Sequence, residues 1–187
     1  MSMSRSASQN ILTVGVEDGS FLKGITRKAL LAAVLLRGVK VEDVKITEIT
    51  VDGLDATKKL VNILSGWDFA AIFLAGVSFA GFNVIDPLVV HEKFEKPVII
   101  ISRTKPDNRA VKQALRRHFE DWRIRWNVFE KLGPIHKIDV LVSEPPVFVE
   151  AVGAGVKWAR NLIRALAVIS RVPEPIRVAR LIARGLS

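Results

Sequence analysis

The chain of 187 residues has no cysteine and no tyrosine, and aromatic residues make up only 7% of it. Without cysteine there is no disulfide, no thiolate metal site and no cysteine nucleophile. No apolar run is long and charge-free enough to span a bilayer, which excludes a membrane-spanning role. The first ten residues, MSMSRSASQN, lack the apolar stretch of a secretory signal. They read as a disordered tail over 1–10, ahead of a single domain over 11–187, in a cytoplasmic protein. Histidine is scarce too. His91, His118 and His136 lie far apart, without metal-ligand spacing. The sequence has no GxGxxG dinucleotide loop, and Ser78 lacks a GxSxG frame because Ala80 stands at the second glycine position.

Acidic residues are also in short supply, with 19 Asp and Glu against 28 Lys and Arg, a net charge of +9. The imbalance is one-sided. Residues 1–100 carry 11 of each sign, whereas 101–187 carry 17 cations and 8 anions. Between Lys157 and Arg184 seven cations face a single acid, Glu174. Such asymmetry favours a polyanionic partner, most simply nucleic acid.

What is present is a core: 49% of the residues are hydrophobic, ample for one domain. Ile11–Val16 and Ala29–Leu36 are apolar runs closed by turn residues, and Val44–Val51 alternates apolar with polar, so three strands lead the chain. Their short links predict an antiparallel meander. Ala56, Leu60, Ile63 and Leu64 then fall at helical spacing behind Asp55, a candidate N-cap. Ala70–Leu74 and Pro97–Ser102 read as buried strands, separated by a helix that starts at Asp86-Pro87. Helices follow over Val111–Phe119 and up to Leu132, then a short strand at Ile138–Val142, a long helix over Val147–Ile169 and a last helix after Pro173. The whole is an α/β fold: a mixed sheet, antiparallel in its first three strands and parallel after them, with helices on both faces.

Carboxylates gather at the strand ends. Glu17 and Asp18 follow the first strand, and Asp52 and Asp55 follow the third. Were those strands neighbours of the fourth, the acids would converge near Ala75. Such a set could hold Mg²⁺, an oxygen-seeking cation. A basic protein with a carboxylate-bound Mg²⁺ is the outline of a nuclease. Turn chemistry explains the same residues, since Asp18-Gly19 and Asp52-Gly53 are ordinary turn pairs. Trp122 and Trp126, interleaved with Arg123 and Arg125, fit either a base-stacking surface or a helical face packed on the core.

Five stretches in this order resemble an archaeal family of unknown function related to endonuclease V: GVEDG (15–19), TVDGLDAT (50–57), GVSFAGFNVID (76–86), SRTKPD (102–107) and PEPIRVARLIARG (173–185). The likeness runs from about Ile11 to Gly185. It implies a ribonuclease H-like fold and phosphodiester hydrolysis at deaminated bases, deoxyuridine or deoxyinosine, in DNA in preference to RNA, with Mg²⁺ or Mn²⁺ as cofactor. Carried over residue by residue, it implies catalytic roles for Glu17, Asp18 and Asp55. It also implies a metal set of Glu17, Asp18, Asp52 and Asp55, and nucleic-acid contacts at Asn83, Arg103, Lys105, Arg177 and Arg180. Three positions depart from the family's pattern: Glu17 stands for an aspartate, Ala75 for a catalytic carboxylate and Arg180 for a histidine. A metal-dependent endonuclease with an altered centre, a non-catalytic nucleic-acid binder and a protein-binding scaffold are the functions that remain open.

Overall fold

The computed structural model describes residues 10–187, so residues 1–9 of the expected tail lie outside the described residues. Seven strands form one sheet in the order β3-β2-β1-β4-β7-β9-β8. The first three, β1 (Leu12–Asp18), β2 (Lys28–Arg37) and β3 (Lys40–Thr50), form the expected antiparallel meander. β4 (Ala71–Leu74) then pairs parallel to β1, with Val14 opposite Ile72 and Val16 opposite Leu74. β7 (Val98–Ser102) pairs parallel to β4. Between them a two-stranded hairpin, β5 (Ser78–Phe79) and β6 (Asn83–Val84), stands off the main sheet.

The segment 147–169 departs from expectation. Its first part is β9 (Val147–Val152), antiparallel to β7, and only Val156–Leu166 is helical. β8 (His136–Ile138) also pairs antiparallel, at the sheet edge, and stops short of the expected 142. An apolar run of this length is compatible with either a buried strand or a helix. Here a strand satisfies the open edge of β7, and Gly153-Ala154-Gly155 makes the turn into the helix.

Among the described residues six helices lie against the sheet: α1 (Ala56–Leu64), α2 (Pro87–Phe94), α3 (Asn108–His118), α4 (Trp122–Glu130), α5 (Val156–Leu166) and α6 (Glu174–Gly185). None of them is long and apolar enough to cross a membrane. Strand alternation divides the core. Val14, Val16, Leu31 and Ile72 pack with Leu60 and Leu64 of α1, Val90 of α2 and Val128 of α4. Phe73, Ile99 and Val149 pack on the other face with Leu162 and Leu166 of α5 and Ile176 of α6.

One contact sets the geometry of the site. Helix α6 lies so close along β1 that a Cβ built on Gly15 would meet the Pro175 carbonyl oxygen at 1.9 Å, and one on Gly19 the Ala183 oxygen at 2.8 Å. The helix therefore advances in step with the strand. Residues in its second half, Arg180 and Arg184, arrive at the end of β1, where Glu17 lies.

Candidate nucleic-acid cleft at the strand ends

β1, β3, β4 and β7 share one direction, so their C-terminal ends meet one edge of the sheet, the edge where α/β folds place ligands. A cavity of about 300 Å³ opens there, lined by Glu17, Ala75, Ser102, Arg103, Thr104, Arg180 and Arg184 together with apolar side chains.

Glu17 is 9% exposed. Burial, and secondarily its neighbour Asp18, raise its carboxyl from 4.5 to about 7, with Arg180 opposing the shift. Arg103 titrates below the usual guanidinium range, because it is partly buried and because Arg180, Arg171 and Arg184 repel it, while Glu17 pulls the other way. Three arginines, Arg103, Arg180 and Arg184, thus line the cavity with the Glu17 carboxyl. The arrangement has a cationic surplus that an anion would relieve.

The expected convergence of four carboxylates does not occur. β2 separates β3 from β1, and the acids after β3 are engaged elsewhere. Asp52 has φ 56°. Its N–H donates to the Ala80 oxygen (2.8 Å), and its Oδ1 accepts from the Phe82 N–H (2.8 Å). Gly81 is required beside it, since a Cβ there would sit 2.2 Å from Asp52 Oδ1. Asp55 accepts from the Thr50 N–H (3.1 Å), the Thr50 hydroxyl (3.0 Å) and Asn83 Nδ2 (2.6 Å). Burial works against the charge on Asp55, and the hydrogen bonds from Asn83 and Thr50 outweigh it, holding the carboxyl below the usual range. Asp18 accepts from the Ala80 N–H. Three of the four acids therefore brace the β5–β6 hairpin.

Asn83 belongs to the same brace. It is fully buried, its Oδ1 accepts from the Ala56 N–H at the start of α1 (3.0 Å), and its Nδ2 also donates to the Thr50 oxygen (2.8 Å). It caps α1 from outside the helix, the role expected of Asp55, whose side chain makes no cap bond. Asn83 has no free face for nucleic acid. Arg177 donates to both carboxylate oxygens of Glu174 (2.8 and 2.7 Å) and lies outside the cavity lining. Lys105 is exposed on the loop after β7, next to the cavity-lining Thr104. Of the expected nucleic-acid contacts, Arg103 and Arg180 alone line the cavity.

Sequence reasoning missed Arg184, although it follows Arg180 by four residues and so shares its helical face. It also missed Arg125 as the keystone of the brace. Arg125 is 4% exposed. It donates to the carbonyl oxygens of Gly53 (2.8 Å), Phe82 (2.6 Å) and Asp52 (2.9 Å), and pairs with Asp121 (2.7 Å). No local pattern marks an arginine for such burial.

The donor set does not fit Mg²⁺ or Mn²⁺. Ala75 supplies no ligand, the Arg180 guanidinium faces the same space as Glu17, and Asp52 and Asp55 accept hydrogen bonds from Phe82, Asn83 and Thr50. Among the described residues no group of three or more His, Cys, Asp or Glu is disposed to hold a metal ion.

The sequence profile of the family described as Endonuclease dU matches residues 9–187. The chain belongs to the endonuclease dU family. A UPF0215 protein of Methanothermobacter thermautotrophicus is 32% identical over 98% of this chain and 91% of its own length. Another, of Thermococcus gammatolerans, is 34% identical over 98% and 96%. Among solved structures, a protein of unknown function from Archaeoglobus fulgidus superimposes with a TM-score of 0.84 at 30% identity, covering 94% of this chain and 98% of its own. Endonuclease V of Bacillus subtilis superimposes at 0.64 with 12% identity, covering 94% and 80%. The endonuclease V likeness and the mixed seven-stranded sheet agree: the fold is the ribonuclease H-like fold of endonuclease V. An endonuclease V of Ciona intestinalis, solved in complex with a DNA containing an inosine, shares that fold at a TM-score of 0.58 and 15% identity, over 90% of this chain and 82% of its own.

Proposed function

We propose that this member of the endonuclease dU family binds nucleic acid in the cleft without metal-dependent cleavage. The observation that carries the reading is the exchange of charge at the strand ends. Arg103, Arg180 and Arg184 line the cavity with one buried carboxyl, Glu17, and Ala75 stands among them. Guanidinium groups grip phosphate oxygens through paired N–H bonds. The family name and the DNA-bound Ciona neighbour support DNA as the polyanion.

Binding of labelled DNA carrying deoxyuridine or deoxyinosine tests this, by mobility shift across a salt series. Log affinity should fall linearly with log salt, and Arg103→Ala, Arg180→Ala and Arg184→Ala should each flatten the slope by about one. The same DNA is then incubated with Mg²⁺ or Mn²⁺, wild type beside Ala75→Asp. The wild type should leave it intact. Cutting by the wild type that Glu17→Gln abolishes would replace this reading with an altered-ligand nuclease. Salt-insensitive or absent binding would leave the protein-binding scaffold.

A further inference from the structure

The second open surface lies on α3 and α4, away from the cleft lining. Trp122 and Trp126 are half-buried at its centre, and Ile124 between them is 62% exposed. A groove of about 540 Å³ runs past Lys112, Trp122, Arg123, Trp126, Asn127 and Glu130. Neither tryptophan belongs to a hydrophobic core cluster, and the buried residues of α4 are Arg125 and Val128.

Cations stand over both rings. Lys112 Nζ is 4.7 Å from the Trp126 ring centre, and the Arg116 and Arg123 guanidinium carbons are each 5.4 Å from that of Trp122. Trp126 is further held parallel to Phe129, 5.9 Å away at 12°, and its Nε1 donates to Glu130 (3.2 Å). Among the described residues none of Lys112, Arg116 and Arg123 makes an ion pair. Two indoles and three cations that make no ion pair bring together the groups that stack bases and hold the adjoining phosphates. Double-stranded DNA hides its base faces, so the surface fits a single strand.

The fold ties this surface to the sheet edge. Arg125 clamps α4 onto the carbonyls of Asp52, Gly53 and Phe82, at the sheet edge where β3 ends. α3 starts directly after the loop that carries Arg103 and Lys105 and rises about 16 Å along its 11 residues.

We infer that Trp122 and Trp126, with Lys112, Arg116 and Arg123, form a stacking platform for single-stranded nucleic acid. The inference shares the nucleic-acid reading above but rests on different residues from the cleft.

The test uses the full chain and fluorescein-labelled oligo(dT) of about 12 nucleotides, a length within the range that single-strand sites occupy. Anisotropy gives affinity, and intrinsic tryptophan emission reports stacking. Trp122→Ala and Trp126→Ala should each weaken binding about 5- to 150-fold and remove part of the emission quench. Trp122→Phe should retain most of the affinity, because it keeps a ring. Arg103→Ala/Arg180→Ala should lower affinity yet leave the quench at saturation unchanged. An abasic oligomer of the same length, offered to the wild type, should bind weakly without quenching, and this arm needs no variant to fold. Equal affinity for the abasic strand, or wild-type binding by folded alanine variants, would overturn the platform and leave the cleft reading standing. Competition by poly-glutamate equal to that by oligo(dT) would overturn it in favour of an acidic protein partner. Loss of binding in the tryptophan variants with none in the arginine variants would uphold the platform and overturn the cleft.

Discussion

Glu17 makes the stability of this protein depend on pH in a direction opposite to that of an ordinary paired carboxylate. Its carboxyl sits near 4.5 when the chain is unfolded and at about 7 when folded, chiefly because folding buries it. The native state therefore holds the proton more tightly than the unfolded state. This term is fully favourable below pH 4.5 and is lost as pH rises through 7. With 1.36 kcal/mol for each pH unit over which only the unfolded form is ionised, the loss between pH 5 and pH 8 is about 2–3 kcal/mol. For a domain of this size that corresponds to a fall in Tm of about 5–10 °C. Glu150 on β9, likewise raised by burial, contributes a slope of the same sign. Asp43 and Asp55, whose carboxyls are lowered, contribute nothing that changes in this window. The isolating comparison is therefore with Glu17→Gln, which keeps the shape and cannot ionise. Thermal melts followed by circular dichroism from pH 5 to pH 8 should show the wild type losing Tm faster than Glu17→Gln, with the variant the more stable at pH 8. Parallel curves for the two proteins would refute the reasoning, since they would mean that Glu17 ionises freely in the folded state.

Gly15→Ala should destabilise by about 3 kcal/mol in urea unfolding, because the new methyl meets backbone of α6 rather than a movable side chain. An alanine that left stability unchanged would show that α6 is free to lift from β1. Arg125→Met should cost about 3–5 kcal/mol, as three carbonyls and Asp121 lose their donor. Arg125→Lys should recover little of this, because an ammonium cannot fork among four acceptors; full recovery would refute the clamp. Thr13→Val should raise stability by about 1 kcal/mol, since the Thr13 hydroxyl is buried without a hydrogen-bond partner. A fall in Tm would reveal a partner for that hydroxyl.

The leading meander, β4, β7 and the helix started by Asp86 were legible because each is specified locally. Hydrophobic period, turn residues and capping side chains act over a few positions. The short stretches that carry the family likeness were legible too, but not the contacts between them. TVDGLDAT and AGFN look like catalytic and binding motifs. Folded, they are two halves of one brace, in which Asp52 is laced to Ala80 and Phe82, and Asp55 to Asn83.

What the sequence by itself determined is the set of strong periodic elements, the excess of positive charge in the second half and the loss of a carboxylate at Ala75. Tertiary structure alone decided the rest. It made Val147–Val152 a strand, because β7 offered an unpaired edge. By placing β2 between β1 and β3 it kept Glu17 away from Asp52 and Asp55. It carried Arg180 and Arg184 to Glu17, because Gly15 and Gly19 let α6 run against the strand. Local rules extend over a few residues, whereas a carboxylate's hydrogen-bond partners and proton affinity depend on groups tens of residues away. Those distances close only when the chain is folded.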